Sequence, residues 1–167
     1  MLRLVVAIVA GLFVAGCASY GGSTLKSGVS TRTDTRALMG EPAAVHRASP
    51  GADHVESWEY PRGPAGRHTF MARFDARGTL VRIDQVLTAA TLGALRIGQD
   101  GRDDVRRLLG KPAFIRQIGR DPEVWDYAAI ASTGYPRFVR ILVTIDDAGF
   151  VSGAGEMEEP EATTDSF

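Results

Sequence analysis

The residues of this chain that could do chemistry are few, and their spacing decides which chemistry is open to them. Gly101 to Pro112 reads GRDDVRRLLGKP and sets a Gly-Lys pair behind a run of charges. A phosphate-binding loop needs a glycine, four residues and then Gly-Lys-Ser/Thr, so that backbone amides cradle phosphate and the hydroxyl holds magnesium. Here Pro112 follows Gly110-Lys111 and the preceding glycine lies too far upstream, which excludes nucleotide binding on this motif. The histidines are His46, His54 and His68. His54 and Glu56 are two apart and could share a strand face as metal ligands do, yet no spacing fits a zinc pattern. Surface or edge-strand histidines are the simpler reading, with a pH-sensitive contact as the alternative. No Gly-x-Ser-x-Gly elbow is present. The carboxylate pairs Asp103-Asp104 and Asp146-Asp147 fall in a helix start and a turn, where local structure already accounts for them. The expectation is a protein without catalytic residues, metal or cofactor.

The remaining reactive residue is Cys17, the single cysteine. It follows one positive charge, Arg3, and the uninterrupted apolar run LVVAIVAGLFVAG from Leu4 to Gly16. That run is shorter than the roughly 20 residues of a spanning helix. A charged start, a short apolar core and small residues at its end make residues 1–16 a secretory signal peptide. A lone cysteine in an exported chain forms no internal disulfide and needs another explanation. Val14-Ala15-Gly16-Cys17 resembles the bacterial lipobox, which implies cleavage before Cys17 and acylation of its thiol. An ordinary signal peptide with an unrelated cysteine is the alternative. Several acyl chains anchor durably where one is marginal, at about 0.8 kcal/mol per buried methylene. Ala18 and Ser19 follow, with no aspartate, and in lipoproteins of this type that points to the outer membrane.

The composition gives no support to a nucleic-acid partner: 19 basic and 20 acidic residues leave a net charge of −1. Residues 17–27, small and polar, are expected to form the lipidated cysteine and a flexible tether. Residues 156–167, EMEEPEATTDSF, hold acids and no base and are expected to be a disordered tail.

Between these ends the chain says the same thing twice. GVSTRTDTRALMGEP from Gly28 and GQDGRDDVRRLLGKP from Gly98 align without a gap. ESWEY (Glu56 to Tyr60) answers EVWDY (Glu123 to Tyr127), and RFDARGTLV (Arg73 to Val81) answers TIDDAGFVS (Thr144 to Ser152). Ordered matches at a near-constant period mark a duplication. In each first block a cap (Ser30 or Thr31; Asp100 or Gly101) and first-turn acids start a two-turn helix. Val105, Leu108 and Leu109 give the second helix an apolar face. Gly40 with Pro42, and Gly110 with Pro112, stop the helices. Trp58 with Tyr60, and Trp125 with Tyr127, mark strands expected to be half buried. His68 to Asp75 and Arg137 to Asp146 are longer strands that end in Asp-x-x-Gly hairpin turns. Leu80 to Val86 and Phe150 to Ser152 begin the return strands. LTAATLGAL, Leu87 to Leu95, reads as a linking helix. The fold class is α+β: two tandem units, residues 28–87 and 88–155, each a short helix or helix pair on an antiparallel meander.

Some residues fall outside what the repeat explains. YPRGPAGRH (Tyr60 to His68) and IASTGYPRF (Ile130 to Phe138) both join the Trp strand to the long strand, and each carries Tyr and Pro-Arg. Tyr60, Arg62, Tyr135 and Arg137 are therefore the candidate partner-binding residues, with plain hairpin loops as the alternative. Arg102, Arg106 and Arg107 could meet anionic lipid head groups, or form a solvated helix face. The two tryptophans read as packing anchors.

Taken together, the helix with Asp104-Val105, the LLGKP stop, the Trp-acid-Tyr strand and the Asp146 to Gly149 turn resemble the SmpA/OmlA (BamE) domain of small outer-membrane lipoproteins. A similar fold occurs in tandem in the β-lactamase inhibitor protein. The resemblance covers Gly28 to Ser152 twice and is closer in the second copy, since Thr35 stands for Val105 and Met39 for Leu109 in the first. It implies a non-enzymatic, lipid-anchored protein on the periplasmic face of the outer membrane. Such a protein would work by protein–protein contact, accessory to β-barrel assembly or envelope integrity. The family member that serves that machinery has one such domain and this chain has two. The alternative is therefore a tandem binding protein that inhibits or senses an envelope enzyme. One continuous sheet shared by both units would favour that alternative.

Overall fold

The computed structural model describes residues 20–131 and 136–159. The architecture is α+β, with two antiparallel four-stranded sheets and short helices. The first unit runs α1 (Arg32–Met39), β1 (Ala44–Arg47), β2 (Glu56–Arg62), β3 (His68–Phe74) and β4 (Leu80–Gln85). The second runs α2 (Ala89–Leu92), α3 (Arg102–Leu109), β5 (Phe114–Arg116), β6 (Glu123–Ala131), β7 (Arg137–Ile145) and β8 (Val151–Glu158). Each sheet keeps its strands in chain order, as a meander must.

Local chemistry sets both helices. Thr31 caps α1 by accepting from the Asp34 amide, and the Asp34 carboxylate accepts from the Thr31 amide. In α3 the cap is Gly101, which has no side chain to offer, and Asp104 accepts from its amide at 3.0 Å. These hydrogen bonds hold the Asp34 and Asp104 carboxyls below the usual carboxylate range. A side-chain cap contributes about 1 kcal/mol. The inner face of each helix buries two side chains against its own sheet: Thr35 and Met39 in α1, Val105 and Leu109 in α3.

One constellation recurs in both units. Arg32 pairs with Glu56, which accepts from the Trp58 indole; Arg102 pairs with Glu123, which accepts from Trp125. Arg36 and Arg106 stack over the two indoles at 4.9 and 5.0 Å. The guanidinium groups of Arg32 and Arg102 lie against Gly78 and Gly149, the hairpin glycines, where any Cβ would collide with them. The tryptophans are thus packing anchors, fixed to the helix above and the turn beside them.

The units stack as layers: α1, first sheet, α2 with α3, second sheet. One core cluster joins Met39 to Trp58, Tyr60, Ala72, Phe74 and Leu80. The other joins Leu87, Leu95, Val105 and Leu109 to the inner face of the second sheet. The first sheet is therefore buried on both faces, and β2 is not the half-buried strand its alternation suggests. Strand register puts Ser57, Glu59, Met71, Arg73 and Thr69 on its far face, and all five are buried. The end of α3 closes that face. Gly110 has φ 84° and ψ −162°, and a Cβ there would lie 2.8 Å from Glu59 Oε1 and 3.2 Å from Thr69 Cγ2. The next amide, Lys111, donates to Glu59 Oε1 at 3.0 Å, while His46 Nε2 meets Oε2 at 2.7 Å.

Four expectations change. The linking helix contracts to α2, one turn capped by Thr88, although Leu87 and Leu95 still pack in the second core. The edge strands β1 and β5 are additions, too short to show a period. The flexible tether is bound from Tyr20 onward: Tyr20 meets His68 and Phe70 edge-on, and Leu25 packs on the first core. The acidic tail begins later than residue 156, because Glu156 to Glu158 lie in β8 and Glu159 pairs with Arg67 and Arg140.

Gly110→Ala should destabilise more than Gly40→Ala. Both glycines have φ 84°, a strain of about 1–2 kcal/mol for other residues, but a Cβ at Gly40 meets nothing within 4 Å. Equal losses in urea unfolding would refute the layer contact. Glu59→Leu should cost about 1.5–3 kcal/mol, since it leaves the Lys111 amide and His46 without their acceptor; the same unfolding measurement checks it.

Candidate interaction surface

Of the residues singled out in the sequence, Tyr60 is the clearest correction. It is 0% exposed, in the core of the first unit, so no partner can reach it. Burial pushes its hydroxyl up to about 12, against the opposing pull of the Arg36 and Arg62 charges. Arg62 is spent inside the same unit: it lies over the Tyr60 ring and donates to the carbonyls of Met39 and Tyr20. Arg137 is exposed at the start of β7 and pairs with Glu158. Tyr135 and Cys17 lie outside the described residues.

The remaining polar candidates also separate. His54 meets Asp53, His46 meets Glu59, and His68 meets the Tyr20 hydroxyl. His54 and Glu56 do not share a site, because Glu56 is held by Arg32 and Trp58. Among the described residues no group of three or more His, Cys, Asp or Glu side chains is placed to hold a metal. On α3, Arg102 pairs with Glu123, Arg106 covers Trp125 and Arg107 pairs with Asp104, so intramolecular partners engage all three. Lys111 contributes its backbone amide to the layer contact, which is how the Gly-Lys pair is used.

What the structure leaves open is the far face of the second sheet. Strand register aligns Phe114, Arg116, Val124, Asp126, Arg140, Leu142 and Met157 on it. The repeat makes Asp126 the counterpart of Glu59, Leu142 that of Met71 and Val124 that of Ser57. In the first unit those positions are roofed by α3. In the second, the turn Pro64–Gly66 touches β6 and Arg67 reaches Phe138 and Glu159, while Val124 and Leu142 are only partly buried. Asp126 is buried all the same, because Arg116 and Arg140 grip its two oxygens at 2.7 Å from either side. Arg140 continues over the Phe114 ring at 5.6 Å, and Arg67 covers Phe138 at 4.3 Å.

Around this clamp stand exposed apolar side chains. Phe114 is 59% exposed, Met157 48% and Ile118 78%. Val124, Leu142, Pro122 and Ile118 line an apolar hollow of about 350 Å³ beside the clamp. An arginine-rimmed apolar face of this kind has the composition of a protein interface, where aromatic residues, Met and Arg are enriched. The sequence signal that could have found it is the unmatched Phe114-Ile115-Arg116 after the α3 stop, where the first copy has Ala44-Val45-His46.

No family model, no curated protein and no solved structure matches this chain.

Ile118→Ser and Met157→Thr should each leave the unfolding free energy within about 0.5 kcal/mol of the parent, as expected for surface positions. A larger loss in urea unfolding would mean the face is part of the core.

Proposed function

We propose that the chain is an outer-membrane-anchored lipoprotein of the SmpA/OmlA type, facing the periplasm and acting as a protein–protein interaction module. Its expected role is accessory to the assembly of β-barrel proteins or to envelope integrity. The observation that carries the interaction reading is the uncovered far face of the second sheet, apolar and arginine-clamped, while the equivalent face of the first sheet is filled. Anchoring rests on Val14-Ala15-Gly16-Cys17 behind a short apolar run. No helix among the described residues is long and apolar enough to cross a membrane, so attachment by a spanning helix finds no candidate there. The family reading rests on the duplicated helix-on-meander pattern and its Gly-x-Pro stops.

The alternative of a tandem inhibitor or sensor was tied to one continuous sheet. The two sheets are separate, β1-β2-β3-β4 and β5-β6-β7-β8, and that support is missing.

Cys17→Ser should abolish palmitate incorporation and move the chain from the membrane to the soluble fraction on cell fractionation. Unchanged fractionation would end the lipoprotein reading. The full-length chain, captured from detergent-solubilised membranes, should bring down β-barrel assembly subunits, and Ile118→Ser combined with Met157→Thr should reduce that recovery several-fold. Recovery of a single hydrolase instead would transfer the case to the inhibitor reading.

A further inference from the structure

The contact between the two units is a template for what the open face can hold. Inside the chain, a helix ending in a positive-φ glycine lies on a sheet, and the amide after that glycine reaches a buried carboxylate. The open face offers the second sheet with Asp126 in place of Glu59. The chain also contains the other half of the contact, unused. Helix α1 ends at Gly40 with φ 84° and ψ −169°, nearly the angles of Gly110. Gly110 and Pro112 are buried under the first sheet, whereas Gly40 and Pro42 are not buried. Nothing lies within 4 Å of the Cβ position at Gly40.

Side chains around these two surfaces are complementary in shape and charge. Leu108 of α3 packs at the unit boundary, lining a cavity with Ser57 and Arg73. Its copy on α1, Leu38, is half-exposed and belongs to neither core cluster. The position beside Asp126 that corresponds to the Leu108 seat is the apolar hollow of Ile118, Pro122, Val124 and Leu142. The polar groups at the two contacts differ in kind. Within the chain, the backbone amide of Lys111 after the glycine donates to Glu59, and the residue is otherwise exposed. On the free surfaces, acidic Glu41 follows the glycine, and the sheet presents Arg116 and Arg140 around Asp126. Glu41 is 74% exposed at its side chain and, among the described residues, is held by Arg36 on the same surface. A surface ion pair of that kind is worth little and exchanges readily.

We infer that the occupant of the open face is a second copy of this chain, with α1 of one molecule laid on the far face of the second sheet of the next. In it Leu38 fills the hollow and Glu41 meets Arg116 and Arg140, repeating between molecules the packing that α3 makes within one. Such a head-to-tail contact is heterologous and does not close on itself by two-fold symmetry, so it extends into short linear arrays. The inference rests on the face being an interaction surface and names its partner.

The test uses the full-length chain purified in detergent. Oxidation of the double variant Glu41→Cys with Arg116→Cys should give a ladder of dimers, trimers and higher species on a non-reducing gel. Mixing the two single variants should give dimers alone. Sedimentation should show self-association weakened at least about tenfold by Glu41→Arg, since like charges then face each other, and largely restored by adding Arg116→Glu. A monomer at every accessible concentration, or a ladder that forms equally well with Glu41→Arg present, overturns the inference. If the purified chain stays monomeric while Ile118→Ser with Met157→Thr still abolishes capture of a foreign protein, the second-copy partner is wrong and the interaction reading stands. If both experiments are negative, both fall.

Discussion

A single buried carboxylate governs how this molecule is put together. Glu59 sits 2% exposed between two layers, accepting from the Lys111 amide on one oxygen and meeting His46 on the other. Placing a carboxylate there is costly unless its oxygens are satisfied. His46 of the same unit serves one oxygen, and the second unit serves the other at the point where α3 must stop. The stop therefore has to be a glycine, because its backbone is in a positive-φ conformation and there is no room for a Cβ beside Glu59. Helix termination and unit docking are thus the same event, and the two halves of the chain are tied by it.

The duplication is conserved within the chain where a unit must hold itself together, and altered where units meet. Arginine, glutamate, tryptophan and the hairpin glycine recur with the same partners in both copies because each helix needs the same fixation to its own sheet. On the far faces the copies diverge. Glu59 receives a backbone amide; Asp126 receives two guanidinium groups. The arginines let an acid be buried at the end of the stack without a further layer over it. The second unit thus satisfies its carboxylate from within, whereas the first draws on its neighbour.

Much of this was legible in the sequence, for reasons of range. Helix caps, glycine stops and Asp-x-x-Gly turns are decided by a few consecutive residues, so Asp34, Gly40, Gly78 and their copies could be read directly. The repeat then supplied the tandem architecture. What eluded the sequence depends on contacts between distant segments. Glu59 reads as the polar half of an alternating strand until α3 is laid over it. Tyr60 reads as an interface tyrosine until α1 and the Tyr20 segment bury it. β1 and β5 are too short to carry a period. One missed signal was present: Leu25 and Gly28 repeat Leu95 and Gly98, which extends the first unit into the supposed tether. The open face of the second sheet left only the unmatched Phe114-Ile115-Arg116 as a signal, because it is defined by contacts that are not made.

The placement of Tyr20 would set the standoff of a molecule anchored through Cys17. Its hydroxyl meets His68 and its ring packs on Phe70, so the folded body begins there. Should Cys17 carry the acyl chains, only Ala18 and Ser19 separate it from Tyr20, a reach of at most about 11 Å over three Cα–Cα steps. The first unit would then ride against the lipid head groups, unable to sample the periplasm, and anything it meets would have to come to the membrane surface to do so.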